Sequence, residues 1–94
     1  MPATWRPQTQ LVHGGSQRSP HGETSEALFL TSGFCYERAE DAEARFAETQ
    51  AGYTYSRVGN PTVRMLEERM ALLEGSEECS AIASGMAAVH AALM

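Results

Sequence analysis

The chain has 94 residues and a formal net charge of −5, with 12 acidic side chains against 7 basic ones. That balance argues against a nucleic-acid partner, because gripping a phosphate backbone needs clustered Lys and Arg, and the length supports one domain at most. Every basic residue is an arginine (Arg6, Arg18, Arg38, Arg45, Arg57, Arg64 and Arg69), and there is no lysine.

In chain order, the opening MPATWRPQTQLVHGG lacks the apolar core of a signal peptide, and no segment has the length and apolarity of a membrane span. Residues 1–25 are rich in Pro, Gly, Ser, Gln and His; helical character is confined to Thr9–Val12, and the rest reads as an arm that gains order by lying on protein. EALFLTSGFCY (26–36) is apolar with β-compatible aromatics but is interrupted by Gly33, which predicts an extended segment packed on protein. ERAEDAEARFAE then predicts a short surface helix with Ala39, Ala42 and Phe46 on one face. Cys35 and Cys79 have neither metal-ligand nor redox-pair spacing, and read as reduced thiols of a cytoplasmic protein.

GYTYSRVGNPT (52–62) leads into the clearest helix. Asn60 is a good N-cap and Pro61 suits the first helical position. Val63, Leu66, Met70 and Leu73 recur at helical spacing and predict the buried face, with Arg64, Glu67 and Glu68 on the other side. Gly75 ends the helix in the left-handed position. CSAIAS (79–84) predicts a buried parallel strand that runs into a helix starting near Gly85, the opening of an α/β unit. GMAAVHAALM is an apolar helical pattern with no stop signal after it, and is read as part of a longer protein. His90 on that pattern reads as a packed histidine, and His13 and His21 are scattered, so no metal site is expected.

Two places offer anion chemistry. A strand turning at Ser84-Gly85 into a helix leaves free backbone N–H groups at the positive end of the helix dipole, and a glycine admits a close approach. In GYTYSRV, Arg57 presents a planar fork of donors and Tyr55 a phenol; two residues apart on an extended segment, both point to one side. Taken separately, each place also has a plain reading, a tight turn and a solvated loop. ASGMA does not match a nucleophile elbow, so Ser84 is not read as catalytic.

Taken in order, Tyr55-Ser56-Arg57, Asn60-Pro61-Thr62, LEERMALLEG and ASGMAA closely resemble the cysteine/methionine-metabolism family of pyridoxal-phosphate enzymes. The resemblance begins at TQLVHGG and strengthens at TSGF; GETSEALFLTSGF and EDAEARFA look most like the family's homoserine-ester sulfhydrylases, the succinyl-ester ones in particular. It implies an α/β fold of the fold-type I, aspartate aminotransferase-like class. Residues 1–52 would be an arm and short helix packing on a partner subunit, and residues 53–94 the start of the large cofactor-binding domain.

The resemblance also implies pyridoxal 5′-phosphate as cofactor, an amino-acid substrate, and a homo-oligomer, dimer or tetramer, whose phosphate sites are shared between subunits. Tyr55 and Arg57 would reach the phosphate of a neighbour's cofactor, and the amides of Gly85 and Met86 would bind phosphate in their own subunit. The implied reaction is γ-replacement on O-succinylhomoserine with sulfide; cystathionine γ-synthase or methionine γ-lyase chemistry is the alternative within the family. Type members carry TSTF where this chain has Thr31-Ser32-Gly33-Phe34. The family's cofactor-bearing lysine has no counterpart here, and the one aspartate, Asp41, lies in the surface helix. Catalytic residues are therefore expected outside these residues, and a non-catalytic assembly segment fits the absent lysine equally well.

Overall fold

The structure, a computed structural model, describes residues 4–94. Its helices are α1 (Pro7–His13), α2 (Ala39–Phe46), α3 (Pro61–Glu74) and α4 (Gly85–Leu93). The chain divides into two compact units, one formed by the residues up to Ser16 with Met65–Met94 and the other by Gln17–Arg64. Helix α3 starts in the second and continues in the first.

In the Gln17–Arg64 unit, α2 forms where alanines and glutamates favour helix, yet it has no buried residue. Phe46 remains 70% exposed and meets the Tyr36 ring, centroid to centroid at 6.4 Å. The expected Ala39–Ala42–Phe46 face is thus only lightly used. The Arg45 guanidinium covers the other ring contact, 5.0 Å from the Tyr36 centroid, and Phe34 packs on Tyr53 at 5.6 Å. A Cβ on Gly52 would fall 2.6 Å from Arg45 Nε, so a side chain there would displace the Arg45 guanidinium, and the φ of +154° also favours glycine. The apolar 26–36 stretch is extended, as expected, and its one β pairing is an isolated antiparallel bridge from Gly33 to Tyr55.

In the other unit, the short helical stretch expected at Thr9–Val12 is α1, with Pro7 in its first turn. It rests on α3 through Arg69, whose Nε donates to the Gly14 carbonyl at 2.9 Å and whose Nη2 donates to Ser16 Oγ at 3.2 Å. The Gly14-Gly15 pair makes that contact possible. A Cβ on Gly14 would press on Leu72 Cδ1 at 2.9 Å, and Gly15 has φ +73°.

Helix α3 starts and stops where the sequence predicts. Asn60 Oδ1 accepts from the Thr62 amide at 2.9 Å, an N-cap. At the other end Gly75 has φ +68°, and Ser76 N donates to Ala71 O at 2.9 Å, the closure of a Schellman turn. The buried face, however, differs from the predicted one. Met65 (1% exposed) and Ala71 (8%) are buried, whereas Val63, Leu66 and Leu73 of the predicted stripe are exposed. The helix is apolar on two sides, and the described residues cover only the side that meets α1.

The segment 79–84 is not a strand among the described residues. A parallel strand exists only through neighbours that complete its ladder, and none of the described segments supplies one. Instead the Ala81 amide donates to Glu67 Oε2 at 2.7 Å, so Glu67 holds this segment rather than facing solvent alone. Helix α4 follows, and its apolar residues Met86, Val89 and Leu93 are exposed, as is His90, which is therefore not a packed histidine among these residues. No helix among the described residues is long and apolar enough to cross a membrane.

Candidate functional site

Tyr55 and Arg57 lie on a turn, not on the extended segment their spacing predicts. The Tyr55 carbonyl accepts from Val58 N at 2.9 Å and from Gly59 N at 3.0 Å, which bends the backbone between the bridge at Tyr55 and the cap at Asn60. The two side chains nevertheless share a side, since the Arg57 guanidinium carbon stands 5.4 Å from the Tyr55 ring centroid. The reason is different from the one spacing gave: a cation–π contact gathers them where pleating does not. Both are exposed. Arg38 pairs with Glu40, and among the described residues no carboxylate neutralises Arg57. Its fork of donors is open to an anion.

The turn is anchored on both sides. Ser56 N donates to the Ser32 carbonyl at 2.9 Å, and Ser56 Oγ donates to the Thr31 carbonyl. The buried Asn60 sends its Nδ2 hydrogens to Phe29 O at 2.9 Å and Ser56 Oγ at 3.0 Å. Thr62 Oγ1 donates to Ala27 O and accepts from Phe29 N, both at 2.9 Å. Sequence reasoning read Asn60 only as a cap and missed Ser56. Nothing in the residue string signals that Ser56 reaches back to residues 31 and 32.

Gly85 and Met86 open α4. Ser84 caps the helix, its Oγ accepting from Ala87 N at 3.1 Å while its carbonyl accepts from Ala88 N at 3.0 Å. The amides of Gly85 and Met86 precede the first intrahelical bond and point out of the positive end of the helix. A Cβ on Gly85 would meet nothing within 4 Å. The chain's own packing therefore does not require glycine there, and the open space leaves the amide accessible to an outside group. Met86 has its side chain 78% exposed, so what it offers an anion is its backbone N–H.

Each of the two places, described by itself, has donors that suit a phosphate: in one unit, an unpaired guanidinium with a phenol beside it; in the other, two helix-terminal amides. They do not include the lysine that would hold a pyridoxal aldehyde covalently.

Comparison with solved structures fixes the class. A Campylobacter jejuni protein described as an O-acetylhomoserine (thiol)-lyase, whose structure carries N′-pyridoxyl-lysine-5′-monophosphate, superposes with a TM-score of 0.89 at 32% identity, over 96% of this chain and 22% of its own. MetB from Corynebacterium glutamicum gives 0.76, also at 32% identity, over 93% of this chain and 21% of its own. The fold is that of the fold-type I pyridoxal-phosphate enzymes, here represented by helices and extended segments. The family model for Cys/Met metabolism PLP-dependent enzymes matches residues 8–94, and the chain belongs to that family.

Among curated relatives, O-succinylhomoserine sulfhydrylase of Pseudomonas aeruginosa is 52% identical over 86 residues, which is 92% of this chain and 21% of that protein. L-methionine gamma-lyase of Treponema denticola is 38% identical over 81 residues, 86% of this chain and 20% of that protein. The chain spans about a fifth of the length of the curated relatives it matches.

Proposed function

We propose that the protein carrying these residues is a cytoplasmic enzyme of sulfur amino-acid metabolism that exchanges the γ-substituent of O-succinylhomoserine for sulfide, giving homocysteine. The observation that carries this reading is the level of identity: sulfhydrylases of the succinyl ester share about half of the aligned residues, and methionine γ-lyases fewer. Bound pyridoxal phosphate supplies the electron sink such a reaction needs at the α and β carbons. The residues of this chain hold and orient. Arg57 offers its fork to phosphate oxygens, and Tyr55 offers its phenol to another, with a hydroxyl able to move a proton at its oxygen. The Gly85 and Met86 amides complete the anion cradle at a helix end.

The two halves serve different active sites of a homo-oligomer, dimer or tetramer. Tyr55 and Arg57 reach the cofactor of a neighbouring subunit, while Gly85 and Met86 bind that of their own. In this reading the arm and short helix of residues 1–52 pack on the partner, and residues 53–94 begin the cofactor-binding domain. The lysine comes from residues other than these.

The test is an assay of the purified full-length enzyme. O-succinylhomoserine with sulfide should give homocysteine, faster than O-acetylhomoserine does. Methanethiol from methionine, with no homocysteine from the succinyl ester, would replace this reading by the γ-lyase one.

A further inference from the structure

The Tyr55–Arg57 turn does not support itself. Its middle residue, Ser56, is fixed to the 29–33 segment through its amide and its hydroxyl. The same hydroxyl accepts from Asn60 Nδ2 at 3.0 Å, and the second Nδ2 bond goes to Phe29 O at 2.9 Å. Asn60 is 8% exposed and uses both amide hydrogens as well as its oxygen. Capping α3 requires only the oxygen, which a serine provides about as well. The two donor bonds therefore serve something other than the helix, and both end on the backbone support of the Tyr55–Arg57 turn.

We propose that Asn60, acting through Ser56, is a positioning residue that holds Tyr55 and Arg57 in the setting from which both meet one phosphate, that of pyridoxal phosphate. This rests on the reading of Tyr55 and Arg57 as a phosphate-binding pair. Without the Nδ2 bonds, the Ser56 hydroxyl keeps only the Thr31 carbonyl, and the turn gains freedom between Tyr55 and Gly59. Arg57 then has to be ordered by the anion itself, which lowers affinity without removing a single ligand contact.

The test uses the full-length apoenzyme, titrated with pyridoxal phosphate and, separately, with inorganic phosphate as competitor. Asn60→Ser keeps a neutral cap and removes both donors; Ser56→Ala removes the shared hydroxyl and leaves Asn60 in place. Each should weaken pyridoxal-phosphate binding by about tenfold, and inorganic phosphate should weaken in parallel. Amide exchange in the first turn of α3 should be unchanged in Asn60→Ser. Combined with Arg57→Ala, each change should weaken binding by less than it does alone, because the part of its effect that acts through Arg57 is already gone and only the part through Tyr55 remains.

Wild-type affinity in both variants, with Arg57→Ala weakened, overturns the positioning role and leaves the phosphate-pair reading intact. Losses that add fully to that of Arg57→Ala show a general structural role, and overturn it too. No loss in Arg57→Ala overturns the pair and the positioning role together. If Asn60→Ser fails to fold, Ser56→Ala with Ser56→Thr as rescue decides the question by the same criteria.

Discussion

The Arg57 guanidinium carbon stands 5.4 Å from the centre of the Tyr55 ring, on a turn that ends at the cap of α3. A guanidinium resting on a ring face is held away from competing carboxylates while its fork stays open to solvent. Arg57→Ala in the full-length enzyme should lower pyridoxal-phosphate affinity by about tenfold to a hundredfold, the range for charge-assisted hydrogen bonds. The site affected should belong to the neighbouring subunit. In a mixed dimer of Arg57→Ala subunits with subunits lacking the cofactor lysine, one site regains both groups and activity returns. Equal impairment of both sites would place the pair in its own subunit.

Tyr55 has two separable roles. Tyr55→Phe keeps the ring under Arg57 and loses only the phenol, so cofactor affinity should fall by roughly 0.5–1.5 kcal/mol, one hydrogen bond. Tyr55→Leu also removes the cation–π contact, adding about 0.5–1 kcal/mol at this exposed position. Equilibrium titration of the apoenzyme separates the two. Equal losses in both variants would mean that the ring does not hold Arg57.

Glu23 closes a small loop by accepting from Ser19 twice, from the hydroxyl at 2.6 Å and from the amide at 2.8 Å. The Ser19 hydroxyl bond first, and the amide bond second, lower the carboxyl from 4.5 to about 2. A carboxyl depressed on folding contributes order that is complete above its ordinary value and is lost as pH falls through its folded one. The loop should therefore remain closed at pH 4 and open on approaching pH 2. A carboxyl titration followed by NMR should show Glu23 near 2 in the native chain and shifted toward 4.5 in Ser19→Ala. A native titration near 4.5 would remove the effect.

The sequence was legible where local chemistry decides and silent where distant residues do. Asn60, Pro61 and Gly75 bounded α3 correctly because caps act within one turn. The buried side of that helix was misread because Val63 and Leu66 are as apolar as Met65. The choice between them is made by the Gly14-Gly15 turn, which Arg69 holds from 55 positions along the chain. The strand at 79–84 failed for a related reason, since extended backbone becomes a strand only through neighbours. Tyr55 and Arg57 were picked correctly as neighbours, yet the turn that brings them together depends on Ser32 and Thr31. No local pattern encodes that.

Two glycines should respond oppositely to the same substitution. Gly75 has φ +68° at the end of α3, where an alanine is strained, so Gly75→Ala should destabilise by about 1 kcal/mol. At Gly33 a Cβ would meet nothing within 4 Å and φ is ordinary. Gly33→Ala should therefore stabilise by roughly 0.4–1 kcal/mol, through the unfolded chain. Chemical denaturation of the two variants measures both signs. Destabilisation by Gly33→Ala would show that a residue outside this chain packs against it.

Arg69 reaches two acceptors that lie together only when the chain turns at Gly14-Gly15 against α3. Its fork is rigid and can donate from Nε and Nη2 at once, whereas a lysine ammonium is a single point on a flexible stem. Arg69→Lys should therefore fail to restore the contact even though it keeps the charge, and Arg69→Met should lose it while retaining much of the packing. The Gln10 and Gly14 amides, which bond to Arg6 O and Gln10 O in α1, report on the consequence. Each should exchange with solvent about tenfold to a hundredfold faster in both variants, corresponding to about 1.5–3 kcal/mol for hydrogen bonds from a charged donor. Amides in the second half of α3, which do not depend on α1 for their helical bonds, should change less. Unchanged exchange in α1 of Arg69→Met would mean that the apolar contact of Leu72 with Gly14, and not the guanidinium, seats the helix.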